Sequence, residues 1–323
     1  MTPWSRAPER GAAWLVGLMI WLLRHAGWFA TGVVLPGISG WFFLTTPAAR
    51  VASREFLRAA LGRRATTRDV LRHIHVFASS ILDRTLLLIR PAGVLHLDVV
   101  GMHHVTAEAE AGRGCILLGA HLGSFAVLRG LAQQCPVPVR MLMYRDNAGA
   151  FTRTMEALDP ALRRDVIEIG DVQSMLRAHE AVASGAIVGI LADRSPAGVK
   201  QVSVPFLGRP APFPAGPFIL AASLGAPVLL FSGVRTGHRR YTITFTPFAR
   251  RIELHRATRA ADLEAVISRY ATWLEGACRA HPFNWFNFYP FWERLSHAPT
   301  PARPTPAPRP AERIRRGTEP AAG

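Results

Sequence analysis

The sequence holds little that would tie it to metals, nucleotides or an oxidising compartment. Its three cysteines, Cys115, Cys135 and Cys278, are scattered and odd in number. They fit a reduced, cytoplasmic compartment and offer neither a disulfide framework nor a Cys-x-x-Cys pair. His103 and His104 are adjacent, the wrong helical spacing to share a face, and His25, His73 and His75 have no ligand spacing, so no metal is expected. Solvated or capped histidine is the reading for the last three. There is no Walker loop, no paired Rossmann glycines and no Gly-x-Ser-x-Gly elbow, so no cofactor is expected. RNA-binding, zinc-finger and helix-turn-helix signatures are missing too, which removes nucleic acid from the expected partners. No internal repeat is visible.

Acidic residues are also in short supply. Against 22 Asp and Glu stand 38 Lys and Arg, almost all of them arginine, for a formal charge of +16. A surface of this sign suits phosphate-bearing or acidic partners, here anionic lipid or an acidic protein. With 323 residues, of which 49% are hydrophobic, the chain can bury a sizeable core in one large domain or two small ones.

The first fifty residues form the membrane candidate. Residues 12–23 are apolar, Arg24 and His25 interrupt, and residues 26–49 contain no charge. A span of the bilayer core takes about 20 apolar residues, so the second run is long enough, although Gly32, Pro36, Gly37 and Gly40 cut it. Trp14, Trp21, Trp28 and Trp41 suit a membrane interface. Arg6 and Arg10 precede the apolar region and Arg50 and Arg54 follow it, so the positive-inside rule gives no orientation. An anchor that dips in and returns keeps both basic clusters on one side. The apolar region is too long for a secretory signal, and no small-residue cleavage site follows it. A pair of buried core helices is the other reading.

Residues 51–89 read as helix, with Thr66-Thr67-Arg68-Asp69 as a capping region and Val70, Ile74, Phe77 and Ile81 at helical spacing. From Val94 the pattern turns α/β. Strands are expected over 95–100, 115–118, 137–144, 165–169 and 186–191, then 202–207, 228–231 and 241–245. Helices are expected over 105–111, 172–184, 217–224 and 261–280, the third opened by Phe213-Pro214-Ala215-Gly216. Strand alternating with helix at this spacing implies an α/β fold, a largely parallel central sheet flanked by helices on both faces. The expected organisation is residues 1–50 as membrane-associated helices, 51–295 as the α/β domain and 296–323 as a disordered Pro/Arg-rich tail.

The chain is organised around the stretch that begins at Cys115. Cys115 to Leu118 is the apolar run of a buried strand, Gly119 and Ala120 leave the backbone uncrowded, and His121 falls where the strand gives out. Phe125, Leu128 and Leu131 then recur at helical spacing, so a helix is expected to follow at once. Strand-to-helix junctions are where α/β sheets place chemistry, and an imidazole there reaches solvent and substrate. The spacing alone leaves a capping or space-filling histidine equally open.

The run His121-Leu122-Gly123-Ser124-Phe125 resembles the catalytic block of the lysophospholipid acyltransferase family of bacterial lipid A biosynthesis, the acyl-carrier-protein-dependent late acyltransferases. The resemblance covers most of the chain, from about Ser53 to Trp292. It is carried also by Asp193-Arg194, by Pro205-Phe206-Leu207-Gly208 with Phe213-Pro214-Ala215-Gly216, and by Asn284-Trp285-Phe286-Asn287-Phe288-Tyr289. It implies a glycerolipid-acyltransferase-like fold at the cytoplasmic face of the inner membrane. The implied reaction is transfer of a fatty acyl group from acyl carrier protein to a hydroxyl of a lipid acceptor, with His121 as general base. It further implies substrate-binding roles for Ser124, Arg145, Asp146, Asn147, Asp193, Arg194 and Gly216, with Arg194 on a phosphate of a lipid head or of phosphopantetheine. In the family a Glu or Asp follows the histidine after four residues; here that position is Ala126. The departure leaves three readings: lost activity, an acid brought from elsewhere such as Asp146 or Asp193, or a replacement by design. It also keeps open a catalytically silent membrane protein that binds acyl chains or a carrier protein.

Residues 281–292 read His-Pro-Phe-Asn-Trp-Phe-Asn-Phe-Tyr-Pro-Phe-Trp. The aromatic density suggests a membrane-facing or acyl-lining lip, with a tethered, partly buried C-terminal segment as the plainer alternative.

Overall fold

The computed structural model describes residues 21, 27–89, 94–128, 137–144, 165–169, 172–194 and 199–292. Two lengths of sequence discussed above, 145–147 and the 296–323 tail, lie outside them, as do Cys135 and most of the first apolar run.

Nine strands form two sheets among the described residues. They are β1 (His96–Val100), β2 (Cys115–Gly119), β3 (Val139–Tyr144), β4 (Val166–Ile169), β5 (Ile187–Leu191), β6 (Gln201–Phe206), β7 (Arg209–Pro214), β8 (Val228–Gly237) and β9 (Arg240–Ala249). Seven of them make one sheet in the order β1-β9-β8-β2-β5-β3-β4, parallel throughout except where β8 and β9 run antiparallel. The largely parallel central sheet is therefore present. β2 lies at its heart and is buried along its whole length. Ile116 and Leu118 enter the core on one face, Cys115 and Leu117 that on the other. Burial on both faces is why this strand reads as a continuous apolar run instead of an alternating one.

The described helices are α1 (Gly27–Thr45), α2 (Pro47–Leu61), α3 (Thr67–Ile89), α4 (Met102–Glu110), α5 (Val172–Ala183), α6 (Gly216–Leu224) and α7 (Arg259–Ala280). The stretch expected as one helix over 51–89 is two, because Gly62 ends α2 in the left-handed region at φ 65°. The cap of α3 is reciprocal: Asp69 accepts from the Thr66 backbone N–H at 2.8 Å and Thr66 Oγ1 accepts from the Asp69 N–H at 3.2 Å. This is the capping-box pattern read from Thr66 to Asp69, with aspartate in the acidic position. Residue 50 lies inside α2.

Two further differences from the sequence expectation concern β7 and the residues after His121. Phe213 and Pro214, read as part of the opening of a helix, instead end strand β7, which pairs with β6 in a separate two-stranded hairpin. Proline demotes a segment in a central sheet, but a two-stranded ribbon has edges that need no donor. The hairpin turns at Leu207 and Gly208, both at positive φ, 51° and 79°, the conformation a two-residue turn of this twist requires. Secondly, no helix follows His121 at once. Leu122 and Gly123 each make an isolated bridge, Phe125 and Ala126 make a turn, and helix begins only at Val127.

The first fifty residues are described from Gly27 on, apart from Trp21. α1 packs Thr31, Leu35 and Ser39 inward, and Leu35 joins Leu82 and Leu86 of α3 in a small core of its own. Its opposite face leaves Val33 and Leu44 more than half exposed and Trp41 at 40%. No single described helix is long and apolar enough to cross a membrane; residues Thr31–Thr45 and Pro47–Leu61 together form a pair bent by 98° that meets the length and composition of a broken span.

Candidate active site

His121 stands two residues beyond the C-terminal end of β2, and Asp193 two residues beyond that of β5. The two strands are parallel neighbours in the register Gly119 with Leu191, and the Ala192 N–H donates to Gly119 O at 2.9 Å. Counting on in step, Ala120 faces Ala192 and His121 faces Asp193. The side chains meet: His121 Nδ1 is 2.8 Å from Asp193 Oδ1. A carboxylate only accepts, so Nδ1 carries the proton and Nε2 is the basic nitrogen.

Asp193 is fully buried. Its second oxygen accepts from the indole Nε1–H of Trp285 at 3.0 Å, and Arg194 Nη2 lies 3.5 Å from it. Burial pushes this carboxyl up, but His121 and Arg194 beside it and the hydrogen bonds from His121 and Trp285 prevail, and hold it well below the usual carboxylate range. The His121 side chain is 37% exposed. Burial of the ring and then the Arg194 charge draw its pKa below the ordinary imidazole value, against the opposite pull of Asp193. The imidazole is thus neutral, with a free lone pair, at neutral pH.

The loop carrying His121 is gripped from two sides. Gly123 N–H donates to Asn284 O at 2.7 Å and Ser124 N–H to Gly233 O at 2.8 Å. On the C-terminal side, Phe286 N–H donates to His121 O at 2.9 Å, and Leu122 bridges Trp285. Gly123 sits at φ +72°, and a Cβ there would meet Gly233 O at 2.0 Å; only glycine serves where the loop and β8 come this close. Below the loop, Tyr270 of α7 donates its hydroxyl to Gly119 O at 2.7 Å, which fixes the end of β2 from the core.

The aromatic segment is therefore not the lip that its composition suggests. Asn284, Trp285, Phe286, Asn287, Phe291 and Trp292 are buried, and Trp285 is wholly enclosed, with Phe56 and Phe291 edge-on to its ring at 4.8 and 5.0 Å. The segment is a tethered piece of core whose indole N–H reaches the buried carboxylate. Arg194 belongs to the same assembly. Its side chain is 13% exposed, its Nη2 donates to Phe286 O at 3.1 Å, and its guanidinium lies over the Tyr289 ring at 5.3 Å.

Of the other expected site residues, Ser124 is buried in the loop and Ala126 occupies the turn before Val127. Gly216 opens α6 beyond the β6–β7 hairpin, and no described hydrogen bond joins it to the His121–Asp193 pair. Arg145, Asp146 and Asn147 are outside the described residues. Tyr270 escaped the sequence reading, Trp285 entered it only as part of the aromatic motif, and His73 entered it as solvated or capped. His73 is neither solvated nor a cap: it is fully buried and bonded to the Trp285 backbone at 2.9 Å.

A neutral histidine backed by a buried carboxylate, at the C-terminal edge of a parallel sheet, has the chemistry to accept a proton from a hydroxyl. Residues 2–294 match the family described as bacterial lipid A biosynthesis acyltransferase, and the chain belongs to that family. A search among curated proteins returns no match. Membership carries the coarse activity of the family, acyl transfer to a lipid acceptor.

Proposed function

We propose that the chain is an active O-acyltransferase, which takes a fatty acyl group from acyl carrier protein and places it on a hydroxyl of a lipid acceptor. The observation that carries this reading is the 2.8 Å contact between His121 Nδ1 and Asp193 Oδ1. It supplies, from just beyond β5, the carboxylate that Ala126 does not. His121 Nε2 takes the proton of the acceptor hydroxyl as its oxygen attacks the thioester carbonyl. The new C–O bond forms, the tetrahedral intermediate collapses with cleavage of C–S, and the departing pantetheine thiolate takes the proton back from Nε2. Asp193 holds the tautomer and stabilises the imidazolium that forms in between. Arg194 adds positive charge beside Asp193.

Association with the inner membrane is part of the same proposal. Val33, Trp41 and Leu44 lie at helical spacing on the side of α1 turned away from α3, and Val51 on α2 continues the exposed apolar set. A helix that is apolar all round, with one side already packed, has its second side available for lipid. The experiment for the proposed reaction is incubation of the purified protein with acyl-carrier-protein thioester and lipid extract, followed by mass spectrometry, with the lipids of cells with and without the gene as the in vivo counterpart. Added acyl mass on a lipid supports the proposal. Unchanged lipids in both settings, with a folded protein, contradict it and favour a silent binder of acyl chains or carrier protein.

A further inference from the structure

We propose that His73 and Ser53, on α3 and α2, form a positioning pair that holds Trp285 so that its indole N–H is aimed at Asp193. The inference builds on the His121–Asp193 reading of the site and extends it one layer into the helical part of the molecule. Both side chains are fully buried. His73 Nε2 lies 2.9 Å from Trp285 O, and His73 Nδ1 lies 2.8 Å from Ser53 Oγ.

Chemistry fixes the direction of both bonds. A backbone carbonyl only accepts, so Nε2 carries the ring proton and donates it to Trp285 O. Nδ1 is then the acceptor, and the Ser53 hydroxyl donates to it. Serine thus selects the tautomer that can grip Trp285. The ring cannot pivot: Phe288 stacks on it at 4.6 Å and Phe56 lies 5.6 Å away. The chain of directional contacts runs from Ser53 through His73 to the Trp285 backbone, from the Trp285 indole to Asp193, and from Asp193 to His121. The same backbone stretch donates Phe286 N–H to His121 O, so a shift of Trp285 displaces the base as well as its acid.

A buried polar pair is costly when an apolar side chain of like volume would fill the space. At this position it does something an apolar filler does not. The aromatic segment, residues 281–292, forms no strand of the sheet. The carbonyl of Trp285, the residue that bonds Asp193, accepts from the Asn287 N–H at 2.8 Å within the segment and from His73, a donor that reaches it from α3. His73 touches neither substrate nor the reacting atoms in this account and acts through Trp285 alone.

The test uses the full chain in detergent with two amide replacements of opposite geometry. In His73→Gln the amide nitrogen falls near the place of Nε2 and keeps the donor to Trp285 O; in His73→Asn it falls near Nδ1 and that donor is lost. Two readouts are taken: kcat and KM for acyl transfer, and the downfield proton NMR resonance of His121 Nδ1–H, assigned by its disappearance in Asp193→Asn. His73→Gln is expected to keep the resonance and kcat within about threefold, less than one hydrogen bond's worth. His73→Asn is expected to lose the resonance and about a hundredfold in kcat with KM unchanged, the scale of a misplaced catalytic group. Should both replacements unfold the protein, Ser53→Ala provides the milder case, with an expected loss of about tenfold in kcat for one missing hydrogen bond. Equal kcat and equal resonances in the two amide variants, or a Ser53→Ala protein identical to the parent, overturn the proposal. The resonance needs no turnover. If it follows the donor while the parent itself transfers no acyl group, the positioning role stands and the acyl-transfer reading falls.

Discussion

Replacing Asp193 by asparagine is the perturbation with the sharpest consequence. The carboxylate accepts from two donors, His121 Nδ1–H at 2.8 Å and Trp285 Nε1–H at 3.0 Å. An amide offers one oxygen and one NH2 group in the same place. If its oxygen stays with Trp285, which has no alternative to donating, the NH2 faces His121 and stabilises the tautomer in which Nδ1 accepts and Nε2 carries the proton. That histidine cannot take a proton from an acceptor hydroxyl. The same substitution in a serine-protease triad leaves the geometry intact and lowers kcat by about 10⁴, or about 5 kcal/mol of activation free energy. The loss should appear in kcat with little change in KM, because Asp193 is fully buried and meets no substrate. The assay is initial-rate acyl transfer from carrier-protein thioester, with circular dichroism to confirm folding. A folded Asp193→Asn protein within about tenfold of parental kcat is far short of that expectation, and would mean that the carboxylate does not orient the base.

Other consequences follow from the same geometry. Ala126→Glu should give no large gain, since Asp193 already holds Nδ1; a gain approaching about 10⁴-fold in kcat would show instead that the site waits for an acid at Ala126. Gly123→Ala should cost about 1–3 kcal/mol in left-handed strain alone, with more from the approach to Gly233 O at 2.0 Å; a thermal melt equal to the parent's would refute the packing of the loop. Burial pushes the His73 pKa from 6.5 down to about 4, with the Trp285 carbonyl pulling the other way. Between those values the unfolded chain binds a proton that the native state refuses, so this residue makes stability rise with pH across that window and removes about 3 kcal/mol by its lower end. Comparison of melting temperatures for parent and His73→Gln from pH 4 to 7 reads this term as a difference in slope; parallel curves contradict it. Val33→Glu with Leu44→Glu should move the protein from the membrane to the soluble fraction without unfolding it, as both side chains are exposed; retention on the membrane would place the contact elsewhere.

The sheet was largely legible because its strands are short apolar runs punctuated by glycine and proline, and β2 in particular has no polar residue to obscure its period. His121 was legible as the residue where β2 ends. Its pairing with Asp193 was visible only as one of two candidates, since β3 and β4 separate β2 from β5 in sequence and nothing local says that these two strands are neighbours. Once adjacency and register are known, Gly119-Ala120-His121 and Leu191-Ala192-Asp193 fall into step. The aromatic segment was misread for a different reason. Aromatic density marks a surface that leaves water, and composition does not distinguish lipid from protein as the new environment. Trp285 found the core formed with Phe56, Phe206 and Phe291. Ser53 and His73 gave no signal at all, being twenty residues apart in amphipathic helices whose meeting is decided by the turn at Gly62.

Transfer of an acyl group from a carrier thioester to a lipid hydroxyl, with His121 as base, can be followed with an isotopically labelled acyl chain on the carrier protein. Parent and His121→Ala proteins, both shown to be folded, are incubated with this donor and membrane lipid, and the lipids are weighed by mass spectrometry. Labelled acyl mass is expected on a hydroxyl-bearing lipid with the parent, and none above background with His121→Ala. No labelled lipid from the parent, or equal labelling from the two proteins, would contradict it.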